Sequence, residues 1–155
     1  MEFTPEQQSA YLKATTICSR GETCTFDIHE KLKKWELSEE DSMQVISQLT
    51  KEKYLDDERF ARAYVKDKFR FNHWGRQKIA FMLHSKKISK DIQEAAFEEI
   101  QENSYSDQLM KLLADKEKSI KAKDQYDKRN KLMRFAMGRG FESNKIFAAF
   151  KELGI

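Results

Sequence analysis

The chain has almost nothing that turns a backbone sharply: of 155 residues, one is proline and five are glycine. That excludes a many-stranded sandwich or barrel, which needs a turn former at each corner. Long apolar runs are also absent. The longest, Ile146-Phe147-Ala148-Ala149-Phe150, is far short of the roughly 18 residues a membrane span requires. The start, Met1-Glu2-Phe3-Thr4-Pro5-Glu6, has neither a basic end nor an apolar centre, so no secretory leader is expected. Only two cysteines occur, Cys18 and Cys24. They are expected to be reduced thiols in a cytoplasmic protein. With His29 nearby and His73 and His84 far along the chain, they fall short of the roughly four ligands of a zinc site. There is no glycine-rich phosphate loop, no Gly-x-Ser-x-Gly elbow and no nucleophile placed beside a base. The acids Asp56 and Asp57 are explained by helix capping. Neither catalysis, nor a metal, nor a cofactor is expected.

What is present is helix. The apolar fraction of 39% and the aromatic fraction of 12% are too high for a disordered chain. Caps recur ahead of apolar residues at helical spacing. Thr4-Pro5-Glu6-Gln7 offers a capping box with proline in the first turn. Ser38-Glu39-Glu40-Asp41 and Asp56-Asp57-Glu58 place acids at the positive end of a helix dipole. Ser89, Ser106 and Ser143 read as further caps, and Thr25 as a weaker one. The stripes that follow include Val45, Ile46 and Leu49; Phe60, Tyr64 and Phe71; Ile79, Met82 and Leu83; Leu109, Leu112 and Leu113; Leu132, Phe135 and Ala136; and Ile146, Phe150 and Leu153. They predict nine helices, near residues 6–19, 26–36, 39–52, 57–71, 75–86, 90–102, 107–121, 126–138 and 144–153. No sustained heptad seam appears, so a monomer is expected.

The helices repeat in threes. The join Leu32…Leu37-Ser38 resembles Leu83…Ile88-Ser89, and Ala136…Phe141-Glu142-Ser143 follows the same logic. The fold class predicted is therefore all-α, with three tandem three-helix modules at 1–55, 56–105 and 106–155. One such module has little core of its own, so neighbours should pack or bend around a common partner. Short links, Tyr54-Leu55 and Asn103-Ser104-Tyr105, predict an elongated curved rod with adjustable angles between modules.

The charge total hides a segregated pattern. There are 29 Lys and Arg against 26 Asp and Glu, a net +3. Between Arg59 and Lys90, however, ten basic residues face a single acid, Asp67. From Lys116 to Arg139, nine basic residues face three acids. Such blocks suit a polyanion. The first is interleaved with aromatics, as in stacking surfaces for nucleic acid, and the second is not. Candidate contacts in the first block are Arg59, Arg62, Lys66, Lys68, Arg70, Arg76, Lys78, Lys86 and Lys87. Those in the second are Lys128, Arg129, Lys131 and Arg134. Arg59, Arg62, Lys66 and Arg70 follow at spacings of three and four and share a helix face. Lys86 and Lys87 also suit the negative end of a helix, which is a sufficient structural reason for them. Trp74 reads as a wedge between helices or as a platform for a base. Gly75 reads as the residue that lets the chain reverse.

The segment from residue 54 to 88 resembles the bacterial RecX family, regulators of the RecA recombinase. The features that carry the resemblance are Tyr54-Leu55-Asp56-Asp57, Arg59-Phe60-Ala61, Trp74-Gly75-Arg76-Gln77-Lys78-Ile79 and Leu83…Lys86-Lys87-Ile88. The three-module plan agrees. The first module fits more loosely, and the third fits mainly by helix pattern. Lys87 departs from the family, many of whose members have glycine there; this changes a turn rather than a reactive group.

The resemblance implies a non-enzymatic modulator that lies in the groove of the RecA filament on single-stranded DNA. It would hinder filament growth, ATP turnover, strand exchange and repressor cleavage. The implied partners are the RecA filament and single-stranded DNA, with duplex DNA weaker and no membrane. Changing Arg70 and Arg76 to Glu should then raise the salt sensitivity or abolish binding. The competing reading is a helix-turn-helix protein acting directly on duplex DNA. An adaptor without nucleic-acid contact is a third.

Overall fold

A computed structural model describes residues 2–155; Met1, with which the first expected module begins, lies outside the described residues. Nine α-helices and no strand are found among them: α1 (Pro5–Arg20), α2 (Thr25–Lys34), α3 (Glu39–Lys51), α4 (Asp57–Arg70), α5 (Arg76–Ser85), α6 (Lys90–Ala96), α7 (Glu102–Ser119), α8 (Gln125–Gly138) and α9 (Ser143–Leu153). A single 3-10 turn, Phe97–Glu99, follows α6. The all-α class holds. The helices pack in threes: α1 and α2 on α3, α4 and α5 on α6, and α7 and α8 on α9.

The sequence repeat has a structural cause. At each join the backbone closes a Schellman motif, in which one residue takes the left-handed conformation and the next donates back across the helix end. Leu37 N–H reaches Leu32 C=O, Ile88 N–H reaches Leu83 C=O and Phe141 N–H reaches Ala136 C=O, each at 3.1 Å. The left-handed residues are Glu36 (φ 63°), Lys87 (φ 58°) and Gly140 (φ 96°). The next helix is capped immediately afterwards, by the hydroxyls of Ser38 and Ser89 at the first two joins.

Three expected caps sit differently. Thr25 is the first residue of α2, behind an N-cap, Cys24, that gives no side-chain bond. Its free N–H is satisfied from another module, by Asp57 Oδ1 at 2.8 Å. Ser143 likewise opens α9, and Glu142 is the N-cap. Ser106 lies inside α7, which begins at Glu102 rather than near 107. Asn103-Ser104-Tyr105 is therefore the first turn of a helix and not a link. The sixth helix correspondingly ends at Ala96 instead of running to 102. The reason is Tyr105. Its side chain is fully buried, between Phe69 (5.9 Å between centroids, stacked) and Phe141 (5.1 Å). Seating it there draws the helix start forward.

Two apolar cores result. One belongs to the first group of helices: Ala10, Ala14, Ile28, Leu32, Val45, Ile46, Leu49 and Leu55. The other runs without interruption through the second and third groups, from Phe60, Val65, Ile79 and Leu83 to Leu109, Leu132, Phe141 and Phe150. Those two groups are also joined by backbone hydrogen bonds. Gly75 N–H donates to Arg139 C=O (2.7 Å) and Gln77 N–H to Gly140 C=O (2.9 Å). The adjustable link expected between them is thus replaced by a fixed joint.

Gly75 is needed there for space and not for its conformation. Its φ is −82°, and the left-handed residue of that turn is His73 (φ 58°). A Cβ on Gly75 would lie 2.4 Å from the carbonyl carbon of Gly140. The first group meets the rest through both apolar and polar contacts: Cys24 and Phe26 pack into the second core, beside the Lys86–Asp27 and Arg59–Glu22 ion pairs. The accessible surface, 9850 Å², exceeds the roughly 8,200 Å² of a compact chain of this mass, as an elongated arrangement requires.

Candidate nucleic-acid and filament interface

The basic residues singled out from the sequence divide into two classes by what surrounds them. The first class is engaged in ion pairs between helices. Arg59 Nε donates to both carboxylate oxygens of Glu22 (2.7 and 2.9 Å), and its guanidinium also reaches the carbonyls of Lys53 and Tyr54. Arg62 meets Glu58, Glu98 and Glu99 at 3.0–3.1 Å, tying α4 to the turn after α6. Lys86 binds Asp27 at 2.8 Å, across the first and second groups. Arg76 is the most constrained. It pairs with Glu102 (2.6 Å) and Glu142 (3.3 Å), and its guanidinium lies 3.9 Å from the centre of the Tyr105 ring. Partial burial disfavours the Arg76 charge, but its two carboxylate partners outweigh that and raise its pKa. Tyr105 completes the knot by accepting from Arg76 N–H (2.9 Å) and donating to Glu142. Burial, reinforced by Glu142, raises the phenol pKa.

The second class has no acidic partner within 4.0 Å among the described residues. In the first block it comprises Lys66, Lys68, Arg70, Lys78 and Lys87. Three of these gather around one turn. After α4 the chain folds back, and Trp74 N–H donates to Lys68 C=O at 3.1 Å. That sets the half-buried indole between two ammonium groups, Lys68 Nζ at 5.0 Å and Lys78 Nζ at 4.6 Å from its centre. Lys68 also lies over Tyr64. Arg70 lies 5.9 Å over Phe71, whose ring is 69% exposed. Trp74 packs against the core and carries two cations on its ring, so it holds them in place for whatever meets the surface. Cation–π contact of this kind leaves the ammonium hydrogens free for an anion.

The second block is similarly split. Lys128 pairs with Glu117 and Lys131 with Asp127. Arg129 lies over Phe150 at 5.4 Å, and Arg134 has no acidic partner within 4.0 Å among the described residues. Apart from Glu58, four residues before Arg62, the acidic partners of Arg59, Arg62, Arg76 and Lys86 lie 26 to 66 residues away in sequence, where no local pattern could signal them. No group of three or more His, Cys, Asp or Glu side chains able to hold a metal ion occurs among the described residues. Among the described residues no helix is long and apolar enough to cross a membrane. The thiol of Cys24 is buried, and this pushes its pKa up to about 11.

Comparison with known proteins gives a consistent picture. The family model described as RecX, second three-helix domain, matches residues 56–96, and that described as RecX, third three-helix domain, matches residues 103–150. The chain is 31% identical to Regulatory protein RecX of Vibrio parahaemolyticus over 134 residues, covering 86% of this chain and 84% of that one. It is 27% identical to Regulatory protein RecX of Oceanobacillus iheyensis, covering 82% of this chain and 47% of that longer one. The fold matches a crystal structure of RecX from Lactobacillus salivarius with a TM-score of 0.84, at 20% identity, over 96% of this chain and 97% of that one. A second crystal structure, of a regulatory protein RecX, matches with a TM-score of 0.86 over 95% of this chain and 73% of that one.

Proposed function

Because this chain belongs to the RecX family, we propose that it regulates the bacterial recombinase RecA without catalysing a reaction itself. It does so by lying along the groove of the RecA filament on single-stranded DNA. There it hinders ATP turnover, strand exchange and the coprotease activity. Its three helical groups act as successive contact units. Binding by several weak contacts on one chain is strengthened through effective concentration.

The observation that carries this reading is the cation cluster on Trp74. Lys68 and Lys78, with Arg70 beside them, are held on one turn and left without acidic partners (among the described residues), whereas Arg59, Arg62, Arg76 and Lys86 are engaged within the fold. Unpaired, pre-positioned cations next to exposed aromatic surface suit phosphates and unstacked bases. Lys66 and Lys87 extend the same basic character. The contact is attributed first to Lys68, Arg70, Trp74 and Lys78. Arg76→Glu would break the joint with Glu102 and Glu142, so Arg70→Glu is better combined with Lys68→Glu and Lys78→Glu.

The test is association of this triple variant with RecA filaments on single-stranded DNA, measured across salt concentrations. The unaltered chain should bind with a steep salt dependence. The variant should bind weakly and with a shallower slope. Equal binding by both, at every salt concentration, would remove the cluster from the interface.

A further inference from the structure

We propose that the groove between α8 and α9 docks an acidic amphipathic helix of a partner protein. The groove has a volume of about 290 Å³ and is lined by Tyr126, Arg129, Asn130, Met133, Phe147 and Phe150. Tyr126, Asn130 and Met133 follow at i, i+4 and i+7 on α8, which places them in one row. Tyr126 is 77% exposed, and Phe147 of α9 is 55% exposed. Phe147 meets the buried Phe150 edge-on, with centroids 6.4 Å apart. Neither exposed ring is needed for the core, which Leu132, Ala136, Ile146, Ala149 and Phe150 complete beneath them. Single exposed apolar residues are ordinary; a tyrosine, a methionine and a phenylalanine converging on one groove are not.

The charge around the groove selects the occupant. From Lys121 to Arg139 there are seven Lys and Arg against two acids; of these bases Arg129 lines the groove itself, and Lys128 and Lys131 are paired with Glu117 and Asp127. Both acids are engaged, Asp124 as the cap of α8 and Asp127 with Lys131 and the Lys123 N–H. Arg129 stands in the groove wall without a carboxylate partner among the described residues. Lys151 follows Phe147 by four residues and so shares its side of α9. A partner that places apolar side chains on the groove floor and carboxylates at its rim matches both features. Helical spacing of the anchors matches a groove formed by two helices, and a methionine thioether adapts to varied anchors. A nucleic-acid strand would match the rim but supplies no aliphatic anchor for Met133 and Phe150. This inference rests on the groove alone and is independent of the cluster at Trp74.

The experiment uses the full chain and a labelled peptide of about 18 residues, long enough to form a helix, with Leu and Phe at i, i+3, i+4 and i+7 and Glu elsewhere. Fluorescence anisotropy should show saturable binding. Tyr126→Ser with Phe147→Ser should weaken it by about tenfold or more, as loss of interface anchors does. Both substituted side chains are exposed, and an unchanged circular dichroism spectrum confirms that the fold is kept. Replacing every Glu of the peptide by Gln should also weaken binding, whereas Lys68→Glu with Lys78→Glu should leave it unchanged. Absence of binding, equal affinity for the doubly substituted chain, or equal affinity of the neutral peptide would overturn the proposal. So would oligothymidylate binding that is lost with Tyr126 and Phe147, since the groove would then belong to nucleic acid.

Discussion

Two residues test how the joints are held. Lys87 occupies the left-handed position of the second Schellman motif (φ 58°), where the third join has Gly140. A side chain there costs about 1–2 kcal/mol, partly offset by the entropy that glycine adds to the unfolded chain. Lys87→Gly should therefore stabilise the protein by about 1 kcal/mol, read as a higher urea midpoint at unchanged slope. A lower midpoint would mean that the contact of Lys87 over Phe26 outweighs the backbone cost. Tyr105 is the opposite case. Among the described residues its hydroxyl is the only partner of Arg76 N–H, and it also donates to Glu142. Tyr105→Phe keeps the stacked ring and leaves these groups unsatisfied in a partly buried site, which should cost about 1–3 kcal/mol. A loss below the error of a urea titration would show that water replaces the hydroxyl.

At the scale of elements, the decisive feature is the crossing of the α4–α5 turn with the α8–α9 turn. Gly75 and Gly140 let the two backbones touch, and Cβ atoms on either would collide, Gly140 with Lys78 and Gly75 with Gly140. Gly75→Ala should cost about 3 kcal/mol or more, at the upper end of overpacking. It should also speed hydrogen exchange at the Gly75 and Gln77 amides more than at amides of α1–α3. Uniform slowing or no change in exchange would contradict a joint held by these contacts.

Much of this level was legible from caps and apolar spacing, because both are local. The three joins could be aligned from Leu32…Leu37, Leu83…Ile88 and Ala136…Phe141, since the Schellman motif fixes an apolar pair five residues apart. The start of α7 was not legible. It depends on burying Tyr105 between Phe69 and Phe141, which are 36 residues away on either side. The candidate site was legible in composition and not in detail. Spacing alone groups Arg59 and Arg62 with Lys66 and Arg70, and only the fold brings Glu22, Glu98 and Glu99 to the first two. The same folding brings Phe147 beside Tyr126, adding a ring from α9 to the two, Tyr126 and Phe135, that the second basic block holds in its own sequence.

At the scale of the whole molecule, the second and third groups share one core and a backbone joint, while the first has its own core, adds Cys24 and Phe26 to theirs, and also meets them through Arg59–Glu22, Lys86–Asp27 and the Asp57 cap on α2. An elongated body of this kind presents its basic surface at intervals, which suits a repeating partner. The central claim is that this partner is the RecA filament. It is tested most directly by the rate of RecA ATP hydrolysis on single-stranded DNA as this protein is added. The rate should fall at amounts near or below those of RecA, and Lys68→Glu, Arg70→Glu and Lys78→Glu together should restore it. An unchanged rate at an equal amount of the unaltered protein would contradict the claim.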